Sequence, residues 1–241
     1  MRRVLLAAAM ALSLAVLFTI QQAGSASGGD FSLDFTAAAP FSYDHDTGGG
    51  AYNDRTVGKF DDIVESLEGG DFACGDVVTF LTQIKVDSGA IGSQTARLRF
   101  QYTAHSTGQQ GVALVDNDPG GVSAGVNASA IDSGTSDDGG SVATVVPGSE
   151  VYDGVTFVKP TVFYRTVDVT DLEAGETVVV RTDTRIACNG QKPTGNMQAR
   201  LAGATVIAPT VDVIPSGDQT VPFKHVGDIK PCDPTDPKCQ P

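Results

Sequence analysis

Tryptophan is absent from this chain, histidine occurs three times, and 16 basic residues stand against 29 acidic ones. Each shortage excludes something. With no tryptophan and aromatics at 7%, few flat rings are on hand for stacking sugar faces. A net charge of −13 repels phosphate backbones and anionic lipid, so nucleic acid is disfavoured as a partner. The three histidines, His45, His105 and His225, lie in different regions; no two-histidine metal spacing and no G-x-S-x-G elbow occurs. Nothing marks a catalytic set, and the expectation is a protein that is not an enzyme; a hydrolase with an unrecognised site is the third reading behind two binding roles. Cysteine is scarce as well. The four present lack C-x-x-C spacing, which speaks against a zinc site.

Long apolar runs are equally rare, and the one that exists is informative. Met1-Arg2-Arg3 is followed by an apolar run over residues 4–20, then Gln21-Gln22 and the small residues Ala23-Gly24-Ser25-Ala26. That is the layout of a secretory signal peptide over residues 1–26; an uncleaved anchor is the alternative, since 17 apolar residues approach spanning length. No later segment is apolar enough to span a bilayer, so no membrane span is expected after cleavage. Cleavage removes Arg2 and Arg3, leaving 14 basic residues against 29 acidic and a charge of −15. The expected location is secreted, extracellular or cell-surface. In such an oxidising compartment four cysteines should pair, with three connectivities open. Shared strand parity favours Cys74–Cys188, and Cys232–Cys239 would then close a small loop in the tail.

What the chain does have is glycine, 28 of them, and alternation. From Val178 the even positions are Val178, Val180, Thr182, Thr184, Ile186 and Cys188, while Arg181, Asp183 and Arg185 fall between them. Side chains alternate faces along a strand, so the even row is expected to enter a core and the odd row to meet water. Residues 161–188 read as two strands joined in a hairpin at Asp171-Leu172-Glu173-Ala174-Gly175-Glu176. Further strands are expected over 31–35, 75–86, 94–104, 111–115, 142–146, 154–159, 196–207, 211–214 and 220–223. Residues 59–67 carry a helical spacing of Phe60, Ile63, Val64 and Leu67, with a short strand as the alternative. Residues 116–141 are a long Gly-, Asp- and Ser-rich excursion. Short strands with frequent turns point to an all-β fold: one elaborated antiparallel β-sandwich, Ig-like or jelly-roll-like, of nine to eleven strands with little helix. The expected layout is a leader over 1–26, a sandwich over 27–229 and a Pro-, Asp- and Cys-rich tail over 230–241; two tandem sandwiches split near 116–141 are the alternative.

Several segments carry a resemblance. Glu65-Ser66-Leu67-Glu68-Gly69-Gly70-Asp71-Phe72 running into Cys74-Gly75-Asp76 is one, and Thr107-Gly108-Gln109-Gln110-Gly111-Val112 another. Asp137-Asp138-Gly139-Gly140-Ser141, the 171–176 turn, and Pro193-Thr194-Gly195-Asn196-Met197-Gln198-Ala199 complete the set. Together they resemble an uncharacterised β-rich domain of secreted bacterial proteins, often found at the front of large cell-surface proteins. The resemblance implies an extracellular role and brings no catalytic residues. The chain departs from that pattern in lacking trailing repeats or a sorting tail.

Two constellations are candidates for binding. Asp116, Asp118, Asp137 and Asp138 could offer oxygen ligands to calcium, the one cofactor considered, although Asp116-Asn117-Asp118-Pro119-Gly120-Gly121 lacks the third acidic position and distal Glu of an EF-hand loop. The plainer reading is turn chemistry, which also favours Asp and Asn. Tyr43 and Tyr52 flank Asp44-His45-Asp46 and could form a small platform, with Tyr43, Asp44, Asp46 and Tyr52 as ligand contacts; the plainer reading is loop packing. Arg181, Asp183 and Arg185, with Arg97 and Arg99, read as solvated strand faces. The expectation is therefore an exported non-enzymatic sandwich serving as a cell-surface or matrix interaction module, its partners envelope or matrix proteins or glycans. A calcium-stabilised carbohydrate-binding or adhesion module is the alternative.

Overall fold

The computed structural model describes residues 28–38, 43–44, 53–54, 63–105, 113–115, 124–126, 139–153, 161–187 and 197–231. Among these there is no α-helix, only short 3₁₀ turns, and eleven strands of three or more residues. In chain order they are β1 (Phe31–Ala38), the pairs β2 (Tyr43–Asp44), β3 (Asn53–Asp54), β4 (Ile63–Val64) and β5 (Leu67–Glu68), then β6 (Val77–Val86) and β7 (Gln94–His105). There follow β8 (Ala113–Val115), β9 (Ala124–Val126), β10 (Val142–Val145), β11 (Val151–Asp153), β12 (Thr161–Leu172), β13 (Thr177–Ala187) and β14 (Met197–Ala208). The two-residue β15 (Asp212–Val213) and then β16 (Gln219–Lys224) complete the set.

They form a sandwich of two sheets. The six-stranded sheet runs β4-β1-β6-β13-β8, with β9 also on β13. The eight-stranded sheet runs β10-β12-β7-β14-β16-β5, with β11 on β12 and β15 on β14. Pairing is antiparallel except for the two-residue contact of β16 with β5. Strands from both sides of residues 116–141 share these two sheets, β8 pairing with β13 and β10 with β12, and β9, inside that segment, also pairs with β13.

The expected hairpin over 161–188 is corrected. Both strands exist, but β12 belongs to the eight-stranded sheet and β13 to the six-stranded one. The turn at residues 173–176, closed by Glu176 N–H donating to the Glu173 carbonyl at 3.1 Å, crosses from one layer to the other. The reason is apolar: Phe163, Val167 and Val169 of one strand and Val178, Val180 and Ile186 of the other all need burial. As facing members of two layers they cover each other, which side-by-side pairing in one sheet would not allow. β6 and β7 change sheets in the same way. Residues 59–67 are corrected too: Ile63–Val64 and Leu67–Glu68 are strand pairs rather than a helical turn, with residues 59–62 outside the described part. The strand expected at 154–159 also lies outside it; Val151–Asp153, just before, is strand.

Rings join the layers. Phe35 and Phe80 of the six-stranded sheet lie 5.7 Å apart, Phe35 meets Phe100 at 5.7 Å, and Phe80 meets Tyr102 at 5.5 Å across the interior. Each fully buried large apolar side chain contributes about 1.5–3 kcal/mol relative to exposure. At the sandwich edge β1 pairs with β4 only at Ala37 and Ala38. There the Gln219 side chain acts as a surrogate peptide group. Its Oε1 accepts from Phe35 N–H at 2.5 Å and its Nε2 donates to the Leu33 carbonyl at 2.9 Å, tying β16 to an otherwise open strand edge.

Cys74 is buried and disulfide-bonded. It sits in a turn rather than on β6. Asp76 N–H donates to the Ala73 carbonyl, Gly75 takes φ +92°, and Ile186 faces both Gly75 and Asp76 in a bulge. Cys74 N–H also donates to the Lys230 carbonyl at 3.0 Å, so the last described residues are laced beside it. Cys188, Cys232 and Cys239 lie outside the described residues, and with them both pairings expected from sequence. In denaturant titrations without reductant, Cys74→Ala is expected to lower stability by about 2–5 kcal/mol. Reduced wild type should fall at least as far, and equal midpoints for oxidised wild type and variant would contradict the expectation.

Candidate functional site

The two sheets differ in what lies over their outer faces. On β6 every residue from Val78 to Ile84 is buried, and on β13 every residue from Thr177 to Asp183. Along β6 and β13 the outer face of the six-stranded sheet is therefore closed as well as the inner one, while Ser32 and Asp34 of β1 and Lys85 at the end of β6 are exposed. Ala38, Leu81 and Val179 form a second small apolar cluster there, with Ile63 packed on it. This corrects the reading of Arg181 and Asp183 as solvated. Arg181 is 6% exposed and Asp183 1%, and the two form an ion pair two residues apart on one face. Arg181 Nε donates to Asp183 Oδ1 at 2.8 Å, and Thr79 Oγ1 donates to the same oxygen at 2.8 Å. Buried charge must be paired to be tolerated, and here Asp183 pairs with Arg181.

A second buried charge went unseen in the sequence. Arg165 has inward parity on β12, between Phe163 and Val167, and is fully buried. Its Nε donates to Glu150 Oε1 at 2.8 Å and its Nη1 to the Asp183 carbonyl at 2.6 Å, linking the two sheets. The guanidinium lies 5.4 Å from the Phe163 ring centre and 5.9 Å from that of Tyr102. Tyr102 OH donates to Thr182 Oγ1 at 3.1 Å, which makes a second polar link across the core. Burial pushes the Tyr102 phenol up from its ordinary value, and the Arg165 charge partly offsets that. An arginine in the inward row of a strand was the signal, legible from parity alone once Phe163, Val167 and Val169 are taken as core.

The outer face of the eight-stranded sheet is open. Along β7 it carries Arg97, Arg99, Gln101 and Thr103, along β12 Tyr164, Thr166 and Asp168, and along β14 Arg200, all half-buried or exposed. Register places Tyr164 opposite Gln101, Thr166 opposite Arg99 and Asp168 opposite Arg97. Arg97 grips Asp168 with two bonds at 2.6 and 2.8 Å, and Arg200 bonds Asp218 at 2.9 Å. The Asp168 contact raises the Arg97 pKa above its ordinary value. Arg99 lies over the Tyr164 ring, 4.5 Å from its centre. Here the reading of Arg97 and Arg99 as an exposed face holds.

Of the residues singled out in the sequence, Tyr43 and Asp44 form β2 and pair with Asp54 and Asn53 of β3. Asp46, Tyr52, Asp116, Asp118, Asp137 and Asp138 lie outside the described residues. Among the described residues no three His, Cys, Asp or Glu side chains come together as a metal site. His225 is exposed, its Nδ1 2.7 Å from Glu68 Oε2. It adopts φ +50°, and its carbonyl would lie 2.3 Å from a Cβ at position 69, so that position is glycine. No described helix is long and apolar enough to cross a membrane.

No family model matches the chain, and no curated protein sequence matches it. Among solved structures it is similar to a cohesin module from a Clostridium perfringens family 33 glycoside hydrolase, with 12% identity and a TM-score of 0.31. The alignment covers 70% of this chain and 93% of that one. A likeness that distant carries no inference about activity or partner.

The Tyr102 geometry makes a test of the core. Its folded pKa lies above the unfolded value of about 10, so its contribution is complete below that pH and lost as pH rises through it. Tyr102→Phe should be about 1 kcal/mol less stable at neutral pH, through the lost link to Thr182. Between pH 10 and 11 wild type should lose up to about 1.4 kcal/mol more than the variant. Urea midpoints from pH 8 to 11 measure both, and parallel curves would contradict the assignment.

Proposed function

We propose that the chain is an exported, non-enzymatic interaction module that docks a partner outside the cell on the outer face of the eight-stranded sheet. The observation that carries this reading is the asymmetry of the sandwich: one sheet is closed on both faces along its central strands β6 and β13, while the other leaves a broad face open along β7 and β12. That face is built of arginine, tyrosine, threonine and glutamine, side chains that pair area with hydrogen bonding. Arginine and tyrosine are enriched where binding energy concentrates. The signal-like leader supports the placement outside the cell, and the disulfide at Cys74 suits an oxidising compartment. The strongly acidic remainder favours a soluble, separate body in that setting.

The purified protein is expected to bind saturably to envelope or matrix fractions of the producing cell. Replacing Gln101 and Thr166 together by tryptophan puts bulk in the middle of the open face. The double variant should keep the wild-type circular dichroism spectrum and bind at least about tenfold more weakly, a loss of about 1.4 kcal/mol. Asp34→Ala, on the other sheet, should bind as wild type. Equal binding by the double variant, or none by wild type, would overturn the reading.

A further inference from the structure

We propose that Arg99 is the anchor of the open face and that the partner is an extended protein segment bearing carboxylates. This deepens the docking reading above and rests on it. Three arginines project from the face, and two are already neutralised, Arg97 by Asp168 and Arg200 by Asp218. Arg99 has no carboxylate partner among the described residues and is exposed. Its guanidinium is laid on the Tyr164 ring at 4.5 Å. Stacking fixes the plane of the group while leaving its N–H edges free, and that fork matches a carboxylate in bidentate fashion. Less side-chain freedom is then lost on binding.

The surroundings are shaped for such a contact. On one side Arg99 faces Thr166, on the other Gly203. β14 bulges between Leu201 and Gly203, and a Cβ built at Gly203 would meet nothing within 4 Å. The sheet surface therefore has a gap on the β14 side of Arg99, where other strand positions carry a side chain, while the guanidinium itself leans to the β12 side. Thr166, opposite Arg99 on β12, and Gln101, two residues along β7, offer hydroxyl and amide groups able to bond a peptide backbone. The charge of the whole chain, −13, bears on the class of anion. A nucleic acid or an anionic membrane presents charge over long distances and meets that field in full. A peptide with one or two carboxylates meets only what lies within a Debye length, about 8 Å at physiological salt, where the unneutralised Arg99 dominates.

The probes are the capped hexapeptide Gly-Glu-Gly-Glu-Gly-Glu, its glutamine counterpart and polygalacturonate, each titrated into ¹⁵N-labelled full chain. The glutamate peptide is expected to bind saturably, with amide shifts centred on Gly203 and Thr166, and at least tenfold more tightly than the glutamine peptide. Arg99→Ala should weaken it at least tenfold, and Arg99→Lys, which keeps charge but not the fork, severalfold. Equal affinities for the two peptides, an unaffected Arg99→Ala, or shifts elsewhere would overturn the proposal. Arg99-dependent binding of polygalacturonate without the peptide would overturn the choice of a protein partner. If the peptide fails while the Gln101/Thr166 double variant still abolishes envelope binding, the carboxylate anchor is refuted and the docking face stands.

Discussion

The ring-to-ring packing of Phe35, Phe80, Phe100, Tyr102 and Phe163 across the interior is the constraint on which the rest of this structure depends. These residues come from both sheets and lie within 5.5–6.3 Å centre to centre along the chain of contacts. Offset and tilted rings at that spacing attract beyond their buried area, by about 0.5–1.5 kcal/mol per pair. Because they interlock, the registers of β6, β7 and β12 cannot slip independently. A one-residue slip in any of them would turn its aromatic row outward. That fixed register of β7 and β12 is also what sets Arg99 beside Thr166 on the opposite side of the same strands.

The polar residues in this interior are placed where the rings leave gaps. Arg165 enters a core otherwise made of rings and branched aliphatics, and it does so with its donors used. Glu150, at the border of solvent, neutralises it, while the Asp183 carbonyl takes a second N–H. Such a group adds little net stability, because desolvation offsets most of the attraction. Its consequence is directional. Its two bonds, to Glu150 and to the Asp183 carbonyl of β13, are satisfied together in this placement of β12 against β13, which a shift of either strand would break. On the outer side of β13 the Arg181–Asp183 pair lies within one strand and is joined to β6 by Thr79 Oγ1 donating to Asp183.

Much of this fold was legible in the sequence, and what was not has a physical cause. Alternation located β7, β13 and β14 to within a residue or two, since one apolar row per strand is what a half-buried strand needs. It erred where both faces are buried. On β13 Val179, Arg181 and Asp183 alternate with an apolar row just as a solvated stripe would, because a paired, buried charge and a hydrated one have the same residue letters. It erred again at residues 173–176: turn chemistry marks that the chain reverses, and is silent on whether the two strands pair or face each other across a core. The bulge at Gly75 moved Cys74 off the strand for a similar reason, since parity counting assumes no extra residue.

The same reasoning bears on which surface is available for function. A sheet buried on both faces has used its side chains for stability, and any change there competes with packing. A sheet buried on one face is free to vary on the other at little cost, because exposed strand positions away from pairs tolerate substitution within about half a kcal/mol. Arg97 and Arg200 are held by Asp168 and Asp218 and so serve the sheet itself. Arg99 lies against Tyr164, opposite Thr166 and Gly203, without a carboxylate partner among the described residues, since Asp168 is engaged by Arg97. Stability does not account for its placement in the middle of the open face, whereas recognition of a carboxylate would.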